Sequence, residues 1–311
     1  MDMKTPDALK EPDKLSAGEI SKELTGKWAG RSLYYFDTTG STNADAKEKL
    51  AEGNPEGTLV VADMQTEGRG RRGRSWSSPK GDSIYMSLGF KPVFSPDKAS
   101  MVTLVMALAI AKTVRTGLNR ANTNMADSSI ADTNKADTNK ANSSIANSSI
   151  IPVEAMIKWP NDIVVNGKKV CGILTELNLE KNGISSLVIG VGINVNGKDF
   201  PQEIKETATS LFLETGQKFS RAQLIADIME QFEKEYEKFV AKEDLSELLE
   251  EYNSFLINRD KKVKVLDPKE EWEGIARGIN EKGELLVETS LGQIVEVYAG
   301  EVSVRGLFGY V

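Results

Sequence analysis

Hydrophobic and polar positions divide this chain into stretches of contrasting period. Short runs rich in β-branched and aromatic residues predict strands at Leu33 to Asp37, Thr58 to Gln65 and Ser83 to Phe90. Ala155 to Lys158 and Asp162 to Val165 predict two more, on either side of Trp159-Pro160-Asn161. Asn166-Gly167 marks a hairpin whose return strand is Lys169 to Leu177. Leu187 to Asn194 follows as a further strand and carries Gly190 and Gly192. Helical spacing appears after Ser41-Thr42-Asn43, where Ser or Thr is a natural N-cap, and ends near Gly53. Ser95-Pro96 opens a long apolar helix that continues to about Leu118, with proline in the first turn. Ser220 to Val240 and Leu245 to Phe255 read as amphipathic helices. After Asn258 the pattern turns β again. Lys262 to Val304 hold five short strands, broken at Glu281-Lys282-Gly283 and Leu291-Gly292, as in a small barrel.

Two stretches fit neither pattern. Met1 to about Lys27 is charged, with one short helical spacing at Leu15, Ile20 and Leu24. Ala121 to Ile150 consists of six consecutive pentads that begin Ala-Asn or Ala-Asp, with only Thr or Ser at the third position. A pentapeptide coil needs a large apolar residue there, so the expectation is a flexible surface insertion that buries too little to offset its ordering entropy. The organisation expected is therefore a polar extension over 1–30, a large mixed domain over 31–257 interrupted by the low-complexity insertion at 119–150, and a small barrel over 258–311.

Composition narrows the chemistry. The formal net charge of -7 opposes general nucleic-acid affinity, which needs a basic field. With one cysteine, Cys171, no internal disulfide forms, and a reducing, cytoplasmic address is expected. No stretch is expected to approach the roughly 20 apolar residues of a membrane span, and the polar N-terminus is unlike a secretory signal. The chain contains no histidine, which removes Ser-His-Asp triads, Cys-His pairs and His-ligated zinc. Any catalysis must come from Lys, Arg, carboxylates, backbone donors and an oxygen-liganded ion such as Mg²⁺.

Against that acidic background stands Gly68-Arg69-Gly70-Arg71-Arg72-Gly73-Arg74-Ser75-Trp76. Glycine frees the backbone for close approach, arginine grips phosphate and carboxylate oxygens, and the indole offers a stacking face. The run reads as a mobile loop closing over an anionic, aromatic ligand, or else as a solvated basic turn or an RNA-gripping segment. Polar residues gather at the other strand ends: Ser41, Thr42 and Asn43 after the first, Gln65 after the second, Asn161 and Asp162 in the Lys158-Trp159 turn, Lys169 on the hairpin return and Asn194 at the end of its strand. Open α/β sheets place ligands at such ends. Each residue has a plainer role available. Ser41 and Thr42 could be helix caps, Asn194 a turn residue, Lys158 and Lys169 solvated, and Trp159-Pro160 core packing.

Taken together, Glu67 to Ser87, Lys158 to Asp162 (KWPND), Lys168 to Glu176 (KKVCGILTE) and Gly190 to Asn196 (GVGINVN) resemble the signature segments of biotin protein ligases, in the same order and, apart from the pentads, with the same spacing. The resemblance covers about Leu15 to Val304. It implies an α+β fold: a catalytic core like that of class II aminoacyl-tRNA synthetases, a mixed sheet flanked by helices, followed by an SH3-like barrel. It implies ATP-dependent activation of biotin and transfer to a lysine of a biotin carboxyl carrier domain. By the same resemblance, Ser41, Thr42, Asn43, Gln65, Arg69, Gly70, Arg71, Lys169, Gly190 and Gly192 line the biotin site. Arg71, Arg74, Trp76, Lys158, Asn161, Lys169 and Asn194 face ATP, Asn161 and Asp162 hold Mg²⁺, and Lys169, Arg69 and Arg71 are catalytic. Family members include DNA-binding repressors. Here the first strand begins about 30 residues in, so a monofunctional ligase without DNA binding is expected, with a homodimer as the expected assembly. The rival readings are a lipoate ligase of the same superfamily and an RNA-binding module built on the arginines.

Overall fold

A computed structural model describes residues 13–133, 153–181, 183–266, 270–299 and 303–306. In chain order the elements are α1 (Ala17–Glu23), β1 (Ser32–Phe36), α2 (Thr42–Ala51), β2 (Thr58–Ala62), β3 (Ser83–Phe90), α3 (Ala99–Thr133), β4 (Ala155–Lys158), β5 (Asp162–Val165), β6 (Lys168–Glu180), β7 (Gly183–Asn194), α4 (Leu211–Thr215), α5 (Arg221–Lys242), α6 (Leu249–Phe255), β8 (Lys262–Leu266), β9 (Glu271–Ile279), β10 (Leu285–Glu288), β11 (Ile294–Val297) and β12 (Ser303–Gly306). Seven strands form one sheet in the order β1-β2-β3-β7-β6-β5-β4, with β1 and β2 parallel and the other pairs antiparallel. The last five form an antiparallel sheet in the order β11-β10-β9-β8-β12. The architecture is α+β, as the sequence pattern and the resemblance led us to expect.

The period-2 alternation of the strands gives the large sheet two unlike faces. Ile84, Met86, Leu88 and Phe90 of β3 and Leu187, Ile189, Val191 and Ile193 of β7 join the main core beneath α3 and α5. The alternate positions carry Ser87 on β3, Gly190 and Gly192 on β7 and Gly172 on β6. That opposite face is covered in part by α2, where Ala46 packs with Val60 and Val188. Small and polar residues on this face leave room for a ligand where the core face has none.

Two expectations are corrected. The long helix does not stop near Leu118. α3 runs to Thr133, so the first two pentads and the start of the third are helical rather than an unstructured insertion. A helix already nucleated adds one bond per residue fixed, and the alanine that starts each pentad is the best helix former. The remaining pentads lie outside the described residues. Pro96–Thr123 is also long and apolar enough to cross a membrane, contrary to the expected absence of such a stretch. Its apolar residues, among them Val102, Val105, Ile110 and Leu118, are buried in the core instead.

The hairpin at Asn166-Gly167 has positive φ at both positions (48° and 75°), as a two-residue turn between twisted strands requires. Trp159 is core packing: it is buried, and its indole N–H donates to the Gly283 carbonyl at 3.0 Å, tying the turn to the C-terminal sheet.

Candidate active site

The polar face of the large sheet and the arginine-rich loop enclose a cavity of about 500 Å³, counting the space open at its mouth. Ser41, Thr42, Asn43, Gln65, Arg69, Gly70, Arg71, Trp76, Asn161, Lys169, Gly190 and Gly192 all line it. Ten of these are the ten residues expected around biotin. A second, outer cavity adjoins it and includes Arg74, Trp76, Lys169 and Asn194 among its lining. Trp76 and Lys169 belong to both and so stand at the junction.

The floor of the inner cavity is a chain of hydrogen bonds. Gln65 Oε1 accepts from the Thr42 backbone N–H at 2.9 Å and from the Thr42 hydroxyl at 3.0 Å, while its Nε2 donates to Ser78 Oγ at 3.0 Å. Ser87 Oγ lies 2.8 Å from Thr42 Oγ1 and 2.6 Å from Asn43 Oδ1. Ser41, Thr42, Asn43 and Ser87 are all buried. Ser41 occupies the N-cap of α2, yet its hydroxyl makes no capping bond. The capping role that the sequence left open is therefore not what its side chain does.

The loop folds as a small hairpin over this floor. Trp76 N–H donates to the Gly68 carbonyl at 2.9 Å, Arg69 and Ser75 form a bridge, and Gly70 N–H donates to the Arg74 carbonyl at 2.7 Å. Arg72 and Gly73 turn the chain with positive φ (60° and 71°). The hairpin lays the Trp76 indole on bare backbone: a Cβ on Gly192 would come 2.6 Å from Trp76 Cε2, and one on Gly172 2.9 Å from Cζ3. Gly172 and Gly192 are register partners on β6 and β7. The buried indole Nε1 has no acceptor among the described residues. Arg71 donates to Asn161 Oδ1 at 2.9 Å and to the Ala299 carbonyl, next to the C-terminal sheet, at 2.6 Å. Burial pulls its guanidinium below the usual arginine pKa, with Asp162 acting in the other direction.

Lys169 reaches the junction from the start of β6. Its Nζ lies 2.6 Å from Asp162 Oδ1 and 5.1 Å from the centre of the Trp76 ring. Backbone bonds to Thr207 and Thr209 on the neighbouring loop hold its main chain (2.7 and 2.9 Å). Asn194 donates to the Thr209 carbonyl at 3.0 Å and lines the outer cavity.

Lys158 is buried and is not among the residues that line either cavity. Asn161 and Asp162, the residues expected at magnesium, are engaged by cationic side chains in this structure. The Asn161 carbonyl oxygen accepts from Arg71, and Asp162 is paired with Lys169. No group of three or more His, Cys, Asp or Glu side chains able to hold a metal is present among the described residues. Conversely, Ser87, Ser78, Gly172 and Glu176 support the floor and were not singled out from sequence. Ser87 had a signal, a lone hydroxyl within the apolar run Ile84-Tyr85-Met86-Ser87-Leu88.

Against known proteins, residues 35–194 match the biotin/lipoate A/B protein ligase family and residues 260–305 match the biotin protein ligase C terminal domain. A bifunctional ligase/repressor BirA from Bacillus spizizenii is 36% identical over 94% of this chain and 80% of its own length. A biotin--[acetyl-CoA-carboxylase] ligase from Mycobacterium tuberculosis is 29% identical over 95% of this chain and 97% of its own. The solved biotin protein ligase from Aquifex aeolicus, in complex with biotin and ATP, superposes with a TM-score of 0.69 at 28% identity, covering 89% of this chain and 99% of that one. The chain belongs to the biotin/lipoate A/B protein ligase family and is an enzyme of the ligase class. Within that family, the match over 260–305 sets it with the biotin protein ligases.

Proposed function

We propose that the inner cavity binds biotin, that the outer one binds ATP, and that the chain joins them and passes the biotinyl group to a lysine of a biotin carboxyl carrier domain. The observation that carries this reading is the shared border. Lys169 and Trp76 line both cavities, so a carboxylate in one meets an α-phosphate in the other beside a fixed cation. A carboxylate is a poor acyl donor because its leaving group would be oxide. Its oxygen attacks the α-phosphorus of ATP, the bond to pyrophosphate breaks, and a biotinyl-AMP anhydride forms. The amine of the carrier lysine then attacks the acyl carbon, AMP leaves, and the amine loses a proton. Neither step needs imidazole.

In this reading Ser41, Thr42, Asn43 and Gln65 meet the ureido head group, and Gly190 and Gly192 give the alkyl tail bare backbone to lie on. Lys169 draws two anions together and offsets charge at phosphorus, the kind of contribution that preorganised donors make. Arg69 and Arg71 close over the anhydride and exclude water. The unpartnered Trp76 Nε1 gains an acceptor from the ligand, which removes the cost of a buried orphan donor. Magnesium belongs to this reading as counter-ion of the ATP phosphates, and Asn161 and Asp162 are the oxygen donors the chain would offer it. The acidic net charge supports a role without DNA, which a gel shift with operator DNA tests, and buried Cys171 fits a reducing cytoplasm. Incubation with biotin, ATP, Mg²⁺ and a carrier domain, read by intact mass, should show one added biotinyl group. An unmodified carrier, or equal use of lipoate in ATP–pyrophosphate exchange, would overturn the reading.

A further inference from the structure

Asn43 is oriented by groups that lie behind it. Its Nδ2 donates to Glu176 Oε2 at 2.6 Å and to the Leu174 carbonyl at 3.3 Å. A carboxylate and a carbonyl only accept, so the amide nitrogen must face them and both its N–H groups are used. Its Oδ1 accepts from Ser87 and lies against the backbone of Gly190, where a Cβ would overlap it. That oxygen keeps a second lone pair. What Asn43 offers to a ligand is therefore an acceptor and not a donor. Glu176 itself does not line the cavity, and Lys47 Nζ braces it at 2.9 Å. Burial works against the charge on Glu176, but the bonds from Asn43 and Lys47 outweigh it and hold the carboxyl below the usual glutamate range.

We propose that Glu176 is a positioning residue for biotin recognition: its carboxylate, braced by Lys47, locks the Asn43 amide with its oxygen toward a ureido N–H of the ligand. The inference rests on the biotin site proposed above. Without Glu176 the amide nitrogen keeps only the longer bond to the Leu174 carbonyl among the described residues, so the amide turns over more readily and presents its N–H₂ to an N–H, which repels.

Adenylate formation by wild type, Glu176→Ala and Glu176→Gln tests this, with biotin and with biotins methylated at either ureido nitrogen. Glu176→Ala should raise the biotin KM about tenfold or more, the scale of a lost hydrogen bond to a charged group, with little change in the ATP KM or kcat. Glu176→Gln keeps an acceptor oxygen and should restore part of the loss. For one of the two methylated biotins, wild type should be weakened while Glu176→Ala weakens little further, because the matched acceptor is already lost. A merely structural role would instead shift all ligands and ATP alike. A biotin KM changed by less than about twofold in both variants, below the effect of one hydrogen bond, would overturn the proposal. So would equal penalties for every methylated analogue in wild type and variant. If Glu176→Ala lowers the melting temperature too far to assay, Glu176→Gln, which keeps the shape, decides the matter. Wild type that makes no adenylate from biotin at all would overturn the parent reading and not this one alone.

Discussion

Asn43 and Arg69 line the same cavity under opposite constraints. Asn43 is 7% exposed and held by three hydrogen bonds, while Arg69 keeps 62% of its side chain in solvent and has a distant ion pair with Glu67 (3.9 Å). The floor is buried and organised before a ligand arrives. The loop is a short hairpin with positive-φ turns, pinned through Arg71 and the indole of Trp76. A rigid floor gives recognition without an ordering cost at binding, whereas a lightly held flap can open for entry and close for chemistry. The difference separates two jobs. Substitutions in the floor should change which acid binds and how tightly. Substitutions in the loop should change what happens to the intermediate.

Lys169 belongs to the junction and should show the largest effect. Lys169→Ala removes the cation shared by the two cavities and leaves Asp162 without its ammonium partner. Biotin-dependent ATP–pyrophosphate exchange should fall about a hundredfold or more, as for the loss of one charge-stabilising donor. Activity that stayed close to wild type would remove Lys169 from the chemistry.

Gly190→Ala tests the floor. The new Cβ would overlap Asn43 Oδ1, so the amide must move out of the position Ser87 and Glu176 give it. Overpacking of this kind costs about 1–3 kcal/mol, and the biotin KM should rise by roughly the corresponding factor. The ATP KM should hold, since Gly190 does not line the outer cavity. Equal loss for both substrates would mean that floor and junction are not separable.

Arg71→Ala tests the flap. It breaks the bonds to Asn161 and to the Ala299 carbonyl, so the loop loses its attachment to both the central turn and the C-terminal end. Biotinyl-AMP should then escape about tenfold more readily, on the scale of one charged hydrogen bond. Mass spectrometry of a mixed-protein reaction should find biotin on bystander lysines. Labelling confined to the carrier would assign closure to other residues.

The same contrast explains what could be read in the sequence. Ser41-Thr42-Asn43, Gln65, the arginine run and Lys169 were visible because each sits at a strand or helix end, where polar residues break an apolar pattern. The hairpin at Asn166-Gly167 and the turns at Gly283 and Gly292 were visible because a positive φ demands those residue types. Glu176 and Gly172 were not, because they lie inside a strand whose alternation is satisfied either way and matter only through neighbours brought from α2 and from the loop. The burial of Lys158 was not legible either: a lysine beside Trp159-Pro160-Asn161 carries no local sign that its strand turns inward. The first two pentads misled because their composition resists burial, while a helix already running through Leu118 extends without needing any.

The smallest effect should come from Ser41→Ala, and its smallness is what makes it informative. A serine at an N-cap whose hydroxyl holds the first turn contributes about 1 kcal/mol to stability. Ser41 stands at that position with extended backbone (φ -159°, ψ 124°), but its Oγ caps nothing and lines the inner cavity instead. Removing the hydroxyl should therefore leave the urea midpoint almost unchanged, while the biotin KM rises several-fold, the range of one neutral hydrogen bond of about 0.5–1.5 kcal/mol. The two readouts pull the explanations apart. A loss of stability with an unchanged KM would make Ser41 a cap after all and would shrink the recognition surface to Thr42, Asn43 and Gln65. A raised KM at full stability places the hydroxyl on the ligand and extends the rigid floor to the N-cap of the helix that carries it.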